Sequence, residues 1–233
     1  MTYDNSIINW EHVFQNSENF KNNKPFNFTF IENFFNEKFY AKLFETYPKI
    51  DNTWVDSSNM TKSQLVKEWN NGPTNQAVKD GDDPSLNDEW NKFKKYAESS
   101  EFIDNFKNFS GVNVTKLKFF KFMGYQKGGF QLPHIHNGGP TTLVIMVYFS
   151  KGWKENDPGG TYVCTEEDIS TMVFEPYDLD NTGMIFHDGP NAGHGARRIE
   201  KNVERRAIQI YLEEYSEVDG WSGSKKANQL VEL

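Results

Sequence analysis

The second half of the chain constrains the fold most. From Val112 onward Val, Thr, Phe, Tyr and Ile dominate, and clusters of Gly, Pro, Asn and Asp cut the sequence into short runs. β-branched and aromatic residues suit a pleated, half-buried surface, and the clusters are turn formers. The runs predict strands near residues 114–123, 130–136, 141–150, 160–164, 171–175, 183–187, 194–199 and 205–213. About eight short strands separated by turns point to a jelly roll or sandwich.

The first half reads differently. Residues 25–35 alternate aromatic and polar side chains, as a strand does. Asn36 then stands at an N-cap position. Phe35, Phe39, Leu43 and Tyr47 follow at spacing four, a single helical stripe that Pro48 ends. Trp90, Phe93 and Ala97, then Phe102, Phe106 and Phe109, predict helices over 88–98 and 100–109, closed by Gly111. Residues 51–87 are rich in Asn, Asp, Gly and Pro, and read as a long loop with one short helix around 64–69. In the polar residues 1–24, Trp10, Val13 and Phe14 either dock a short helix or lie in a loose terminus. The expectation is a mainly β fold with N-terminal helices backing one face of the sheet. No Pro/Gly/Ser-rich linker divides the chain, so residues 1–233 read as one domain. Its parts are a helical and loop support (1–110), a β core (111–213) and a tail (214–233).

Charge and composition narrow the partners. The net charge of −8 argues against bulk binding to nucleic acid or an anionic membrane, either of which requires a basic stripe. The longest apolar run, Leu143 to Phe149, falls far short of the roughly 20 residues of a membrane helix. The N-terminal residues show no signal-peptide pattern. Cys164 is the single cysteine, so no internal disulfide forms. A soluble, cytoplasmic protein is the expectation. With 20 Phe and six Trp it should hold a large core.

Histidines carry the functional signal. His134 and His136 lie two apart in a segment read as strand, so both side chains point to one face, where two imidazoles can grip a metal ion. Pro133 stiffens the entry, and Asn137-Gly-Gly-Pro140 makes a turn directly after the pair. Alone, such a pair also fits two ordinary imidazoles. His194 sits between Gly193 and Gly195, which allow close backbone approach to a ligand or simply form a turn. His187, beside Asp188, reads as a turn residue or a neighbour of the site, and His12 has no assigned role. Arg205 shares a strand face with Ala207, Gln209 and Tyr211, opposite Ile208, Ile210 and Leu212. If the Ile/Leu face packs on helices, Arg205 points inward and needs an anion: a ligand carboxylate or an internal acidic partner.

Taken together these residues resemble the 2-oxoglutarate/Fe(II)-dependent dioxygenases, especially small prolyl 4-hydroxylase-like and phage or bacterial members. The family order is Tyr-x-x-Gly, His-x-Asp, an apolar strand, Gly-Gly, a distal His and Arg-x-Ser. This chain shows Tyr125-Gln-Lys-Gly128, His134-Ile-His136, Leu143 to Phe149, Gly159-Gly160, Gly193-His194-Gly195 and Arg205-Arg-Ala207. The resemblance spans residues 25–213. It implies a double-stranded β-helix (jelly roll, cupin-like) backed by helices. It further implies Fe(II) held by His134, His136 and His194. The cosubstrate 2-oxoglutarate would meet Arg205 and Tyr125, and O2 would be consumed to hydroxylate a small molecule or a side chain. Tyr148, His187 and Asn137 would stand around these ligands.

Two departures stand out: His136 replaces the usual aspartate, and Ala207 the usual serine. Three neutral imidazoles leave the iron site one charge more positive. In another register, His136-Asn137-Gly138 would match the His-x-Gly of halogenases. Two other readings are a three-histidine cupin-type iron dioxygenase without 2-oxoglutarate and a non-enzymatic jelly-roll module. Residues 51–87, 151–160 and the tail with Trp221 are candidates for a substrate lid.

Overall fold

The computed structural model describes residues 4–73, 78–136, 142–189 and 191–213, and the backbone of 215–216 and 220–221. The chain begins with α1 (Trp10–Gln15) and α2 (Ser17–Asn22), then β1 (Phe28–Ile31) and α3 (Glu37–Glu45). Short strands β2 (Val55–Asp56), β3 (Lys62–Ser63) and β4 (Leu65–Glu68) precede α4 (Asp88–Ala97) and α5 (Ser100–Ser110). The core strands are β5 (Lys116–Tyr125), β6 (Phe130–His134), β7 (Thr142–Phe149) and β8 (Thr161–Cys164). They continue with β9 (Met172–Phe174), β10 (Asp180–Asp188), β11 (Gly193–Ala196) and β12 (Arg205–Glu213). A hairpin, β13 (Tyr215–Ser216) and β14 (Gly220–Trp221), follows.

Two antiparallel sheets face each other. The larger has the order β1-β10-β7-β12-β5-β4-β2 and the smaller β3-β6-β11-β8-β9. The large sheet sorts its side chains by alternation. Phe120, Phe122, Ile145, Val147, Phe149, Ile208 and Ile210 join the helices in one core. Met123, Tyr125, Val144, Met146, Tyr148, Phe186 and Ala207 turn the other way, toward Val163 and Ala196 of the small sheet. The expected outward face of Ile208, Ile210 and Leu212 is thus the helix-backed one.

The helices begin and end where local chemistry dictates. The side chains of Asn36, Asn87 and Ser99 accept from the amides of Lys38, Trp90 and Phe102, capping α3, α4 and α5. Gly111, at φ 73°, ends α5 in the left-handed region. The aromatic stripes then meet the sheet: the rings of Trp90 and Phe122 lie 4.9 Å apart edge to face, and those of Phe93 and Phe120 5.4 Å apart. Such pairs contribute about 0.5–1.5 kcal/mol each beyond the area they bury. At the N-terminus the docked-helix alternative holds, with Trp10 and Val13 fully buried.

One element differs from expectation. Residues 64–69 are not a helix: Leu65 to Glu68 form β4, which pairs with β5 through Leu65↔Gly124 and Val66↔Met123. A six-residue apolar/polar mixture fits either state locally, and the open edge of β5 decides it. Residues 51–87 accordingly extend both sheets rather than forming only a loop. No helix among the described residues is long and apolar enough to cross a membrane.

Candidate active site

Strand register builds a histidine cluster. β11 lies between β6 and β8, and its register sets His194 directly opposite His134. The strand expected to reach residue 136 stops at His134, because the Ile135 amide donates to Glu167 Oε1, 2.9 Å away, instead of to the ladder. His136 still turns back to the pair. The three ring centroids lie 4.4 to 4.7 Å apart. One ligating nitrogen from each of His134, His136 and His194 falls within 4.8 Å of the others.

Each ring has its tautomer set by the protein. Nδ1–H of His134 donates to Leu132 O (3.1 Å), that of His194 to Ala192 O (2.7 Å) and that of His136 to Asp188 Oδ2 (2.9 Å). These acceptors require the proton on Nδ1 and leave the Nε2 lone pairs inside the cluster, those of His134 and His136 3.0 Å apart. Burial, with the neighbouring imidazoles, pushes the His134 pKa below the usual histidine range and that of His194 well below it. Neutral imidazoles with converging lone pairs are the form that binds a transition metal.

The same cavity holds Arg205, at the start of β12 and 1% exposed. Its guanidinium lies between the rings of Tyr125 and Tyr148, 4.8 Å from each. Nε donates to Gly159 O (3.0 Å), and one terminal nitrogen reaches Thr161 Oγ1 (3.4 Å). The other, Nη1, is buried and has no partner among the described residues. The internal acidic partner left open above is not formed there. A buried guanidinium with a spare N–H is a ready site for a carboxylate. The Tyr125 hydroxyl donates to Gln64 Oε1 (2.9 Å) and lies 3.3 Å from Gln131 Oε1, and the Gln131 amide nitrogen stands 3.1 Å from His134 Nε2. One polar chain thus joins the arginine end of the cavity to the histidine end. The cavity measures about 630 Å3 with its mouth.

Fold geometry therefore brings together His134, His136, His194, Arg205, Tyr125 and Tyr148, whose hydroxyl donates to Thr161 Oγ1 (2.8 Å). His187 lies elsewhere. Strand alternation turns Phe186 and Asp188 inward and His187 to the opposite side of β10. Asn137, with the turn expected at 137–140, lies outside the described residues. Reading the sequence missed Tyr211, Thr161 and Gln131 as participants, and placed Asp188 only as a neighbour of His187 rather than of His136. Tyr211 was legible in principle: it shares the Arg205 face of β12, and its hydroxyl lies 3.3 Å from His136 Nδ1. Of the segments suggested as a lid, residues 51–87 supply Ser57, Lys62, Gln64 and Val66 to the cavity wall.

The chain matches no protein-family model. It also matches no curated protein sequence. Solved structures do align with it. A Pseudomonas putida prolyl-4-hydroxylase superposes with TM-score 0.60 at 9% identity, covering 86% of this chain and 97% of that one. A Burkholderia pseudomallei oxidoreductase of the 2OG-Fe(II) oxygenase family gives TM-score 0.60 at 12% identity, covering 87% and 89%. HygX from Streptomyces hygroscopicus, with nickel, 2-oxoglutarate and hygromycin B bound, gives 0.51 at 10% identity, covering 87% and 86%. The chain has the double-stranded β-helix fold of the 2-oxoglutarate/Fe(II) oxygenases, with helices on one face of the larger sheet.

Proposed function

We propose that this protein is a 2-oxoglutarate- and Fe(II)-dependent oxygenase that hydroxylates its substrate. One juxtaposition carries the reading: His134 and His194, with the His136 ring against both, line a cavity that also holds a buried guanidinium N–H with no partner among the described residues. The donor set fits the group. Imidazoles suit Fe(II), and an arginine fork suits the far carboxylate of a keto diacid. His134, His136 and His194 would hold the iron, and Arg205 Nη1 the carboxylate. Bound iron and 2-oxoglutarate supply oxygen activation and C–H hydroxylation, with succinate and carbon dioxide released.

The chain's own residues do the rest. Leu132 O, Ala192 O and Asp188 hold the Nδ1 protons and so keep the rings turned toward the ion. Tyr125 and Tyr148 sandwich Arg205, which keeps water from its faces. Burial pushes the Tyr125 pKa up to about 12, so its hydroxyl stays a donor at neutral pH. Ala207 offers no hydroxyl where the resembled family has serine; Thr161 Oγ1 stands beside the fork instead. Ser57, Lys62, Gln64, Lys121 and Gln209 make one wall of the cavity polar, which favours a substrate with a polar group next to the reacting carbon. HygX, of similar fold, was crystallised with a metal and 2-oxoglutarate, which supports the pairing.

Anaerobic titration with Fe(II) and then 2-oxoglutarate tests this reading. A visible charge-transfer band is expected for the native protein. Arg205→Ala should keep stoichiometric iron and lose about 100-fold or more in 2-oxoglutarate affinity, the worth of a charge-assisted pair. Native turnover by that variant would refute the cosubstrate assignment. Iron binding without the band would favour the three-histidine, cosubstrate-free dioxygenase, which the all-imidazole ligand set also suits.

A further inference from the structure

We propose that Asp188 is this chain's displaced metal carboxylate: a positioning residue that supplies, through the His136 hydrogen bond, the negative charge that a directly ligating aspartate would bring. The inference rests on the metal reading above.

Three observations carry it. Asp188 is 2% exposed, and its Oδ1 has no partner among the described residues. Its other oxygen meets only an imidazole, at 2.9 Å, and no lysine or arginine pairs with it among those residues. A carboxylate buried like this is costly unless a cation stands near. The cation it faces, one imidazole away, is the one the three Nε2 atoms would hold. Charge then balances: three neutral rings plus Asp188 equal two neutral rings plus a ligating carboxylate. A carboxylate on Nδ1–H also makes the ring a stronger donor to the metal. Register explains how it arrives, since Asp188 ends β10 on the same inward face as Phe186, which packs on the His194 ring at 4.6 Å.

The test uses the full chain, freed of metal and titrated with Co(II), read by calorimetry and by the visible bands of the bound ion. Asp188→Asn keeps a hydrogen-bond acceptor for His136 but removes the charge. Its Co(II) affinity should fall about 10- to 100-fold. The same substitution in a His136→Asp background should leave affinity unchanged or raise it, because the carboxylate then ligates directly and Asp188 only repels it. Native-like affinity in Asp188→Asn would overturn the inference. So would equal weakening in both backgrounds, the mark of a packing role. If Asp188→Asn does not fold, Asp188→Ser is read by the same criteria. Failure of the native protein to bind Co(II) would remove the metal reading and this inference with it, whereas tight binding by Asp188→Asn alone removes only the inference.

Discussion

Each imidazole of the cluster commits one ring nitrogen to the protein and turns the other toward its neighbours. That division of labour, more than the count of histidines, is what suits the cluster to a metal ion in chemical terms. Arg205 shows the same logic: two of its donor nitrogens are occupied and one has no partner among the described residues. Cys164 is the contrasting residue, buried beside β11 and reading as inert. Burial, with Asp168's charge adding, pushes its thiol up to about 11. At pH 8 only about one molecule in a thousand would carry the thiolate, the reactive form. Native protein should therefore resist a thiol reagent at pH 8 and react fully once denatured; reaction at the rate of a free thiol would refute this. The histidines and Arg205 were legible because their chemistry is unusual in short, local patterns. Asp188 was not, because the His136 it serves lies 52 residues away.

At the scale of elements, the pairing of β6 with β11 sets the distance between His134 and His194. Gly195 permits that closeness. A Cβ there would meet Gln131 O at 2.6 Å and press on the Tyr162 hydroxyl. Backbone cannot yield as a side-chain tip does, so Gly195→Ala should force the two strands apart. Overpacking of this kind costs about 1–3 kcal/mol. The expected outcome is a lower melting temperature together with weakened Co(II) binding; native affinity would show that the strands tolerate the methyl. Gly195 was read as allowing close approach to a ligand, and the approach it allows is that of a neighbouring strand. The helices were legible because spacing four and capping residues are local signals. β4 was not, because its partner β5 begins 51 positions later than β4 does.

The whole molecule shares one large core between helices and sheet. Trp90 is fully buried and touches Tyr47, Phe93, Phe122 and Phe149. Trp90→Ala should cost about 3–5 kcal/mol, measured by urea unfolding. On the reading of one domain, tryptophan fluorescence and far-ultraviolet dichroism should report a single coincident transition. Two separate transitions would mean that the helical support and the barrel unfold independently. What the sequence by itself determined was the type of most elements, the helix-backed side of β12 and the residues with metal-binding chemistry. Those follow from periodicity and side-chain type, both written in neighbouring residues. Tertiary structure alone decided that 65–68 pairs as a strand, that His187 turns away while Asp188 turns in, and that Arg205 keeps one donor without a partner among the described residues. Each of these depends on which distant strand lies alongside and in what register, and a shift of one residue would reverse it.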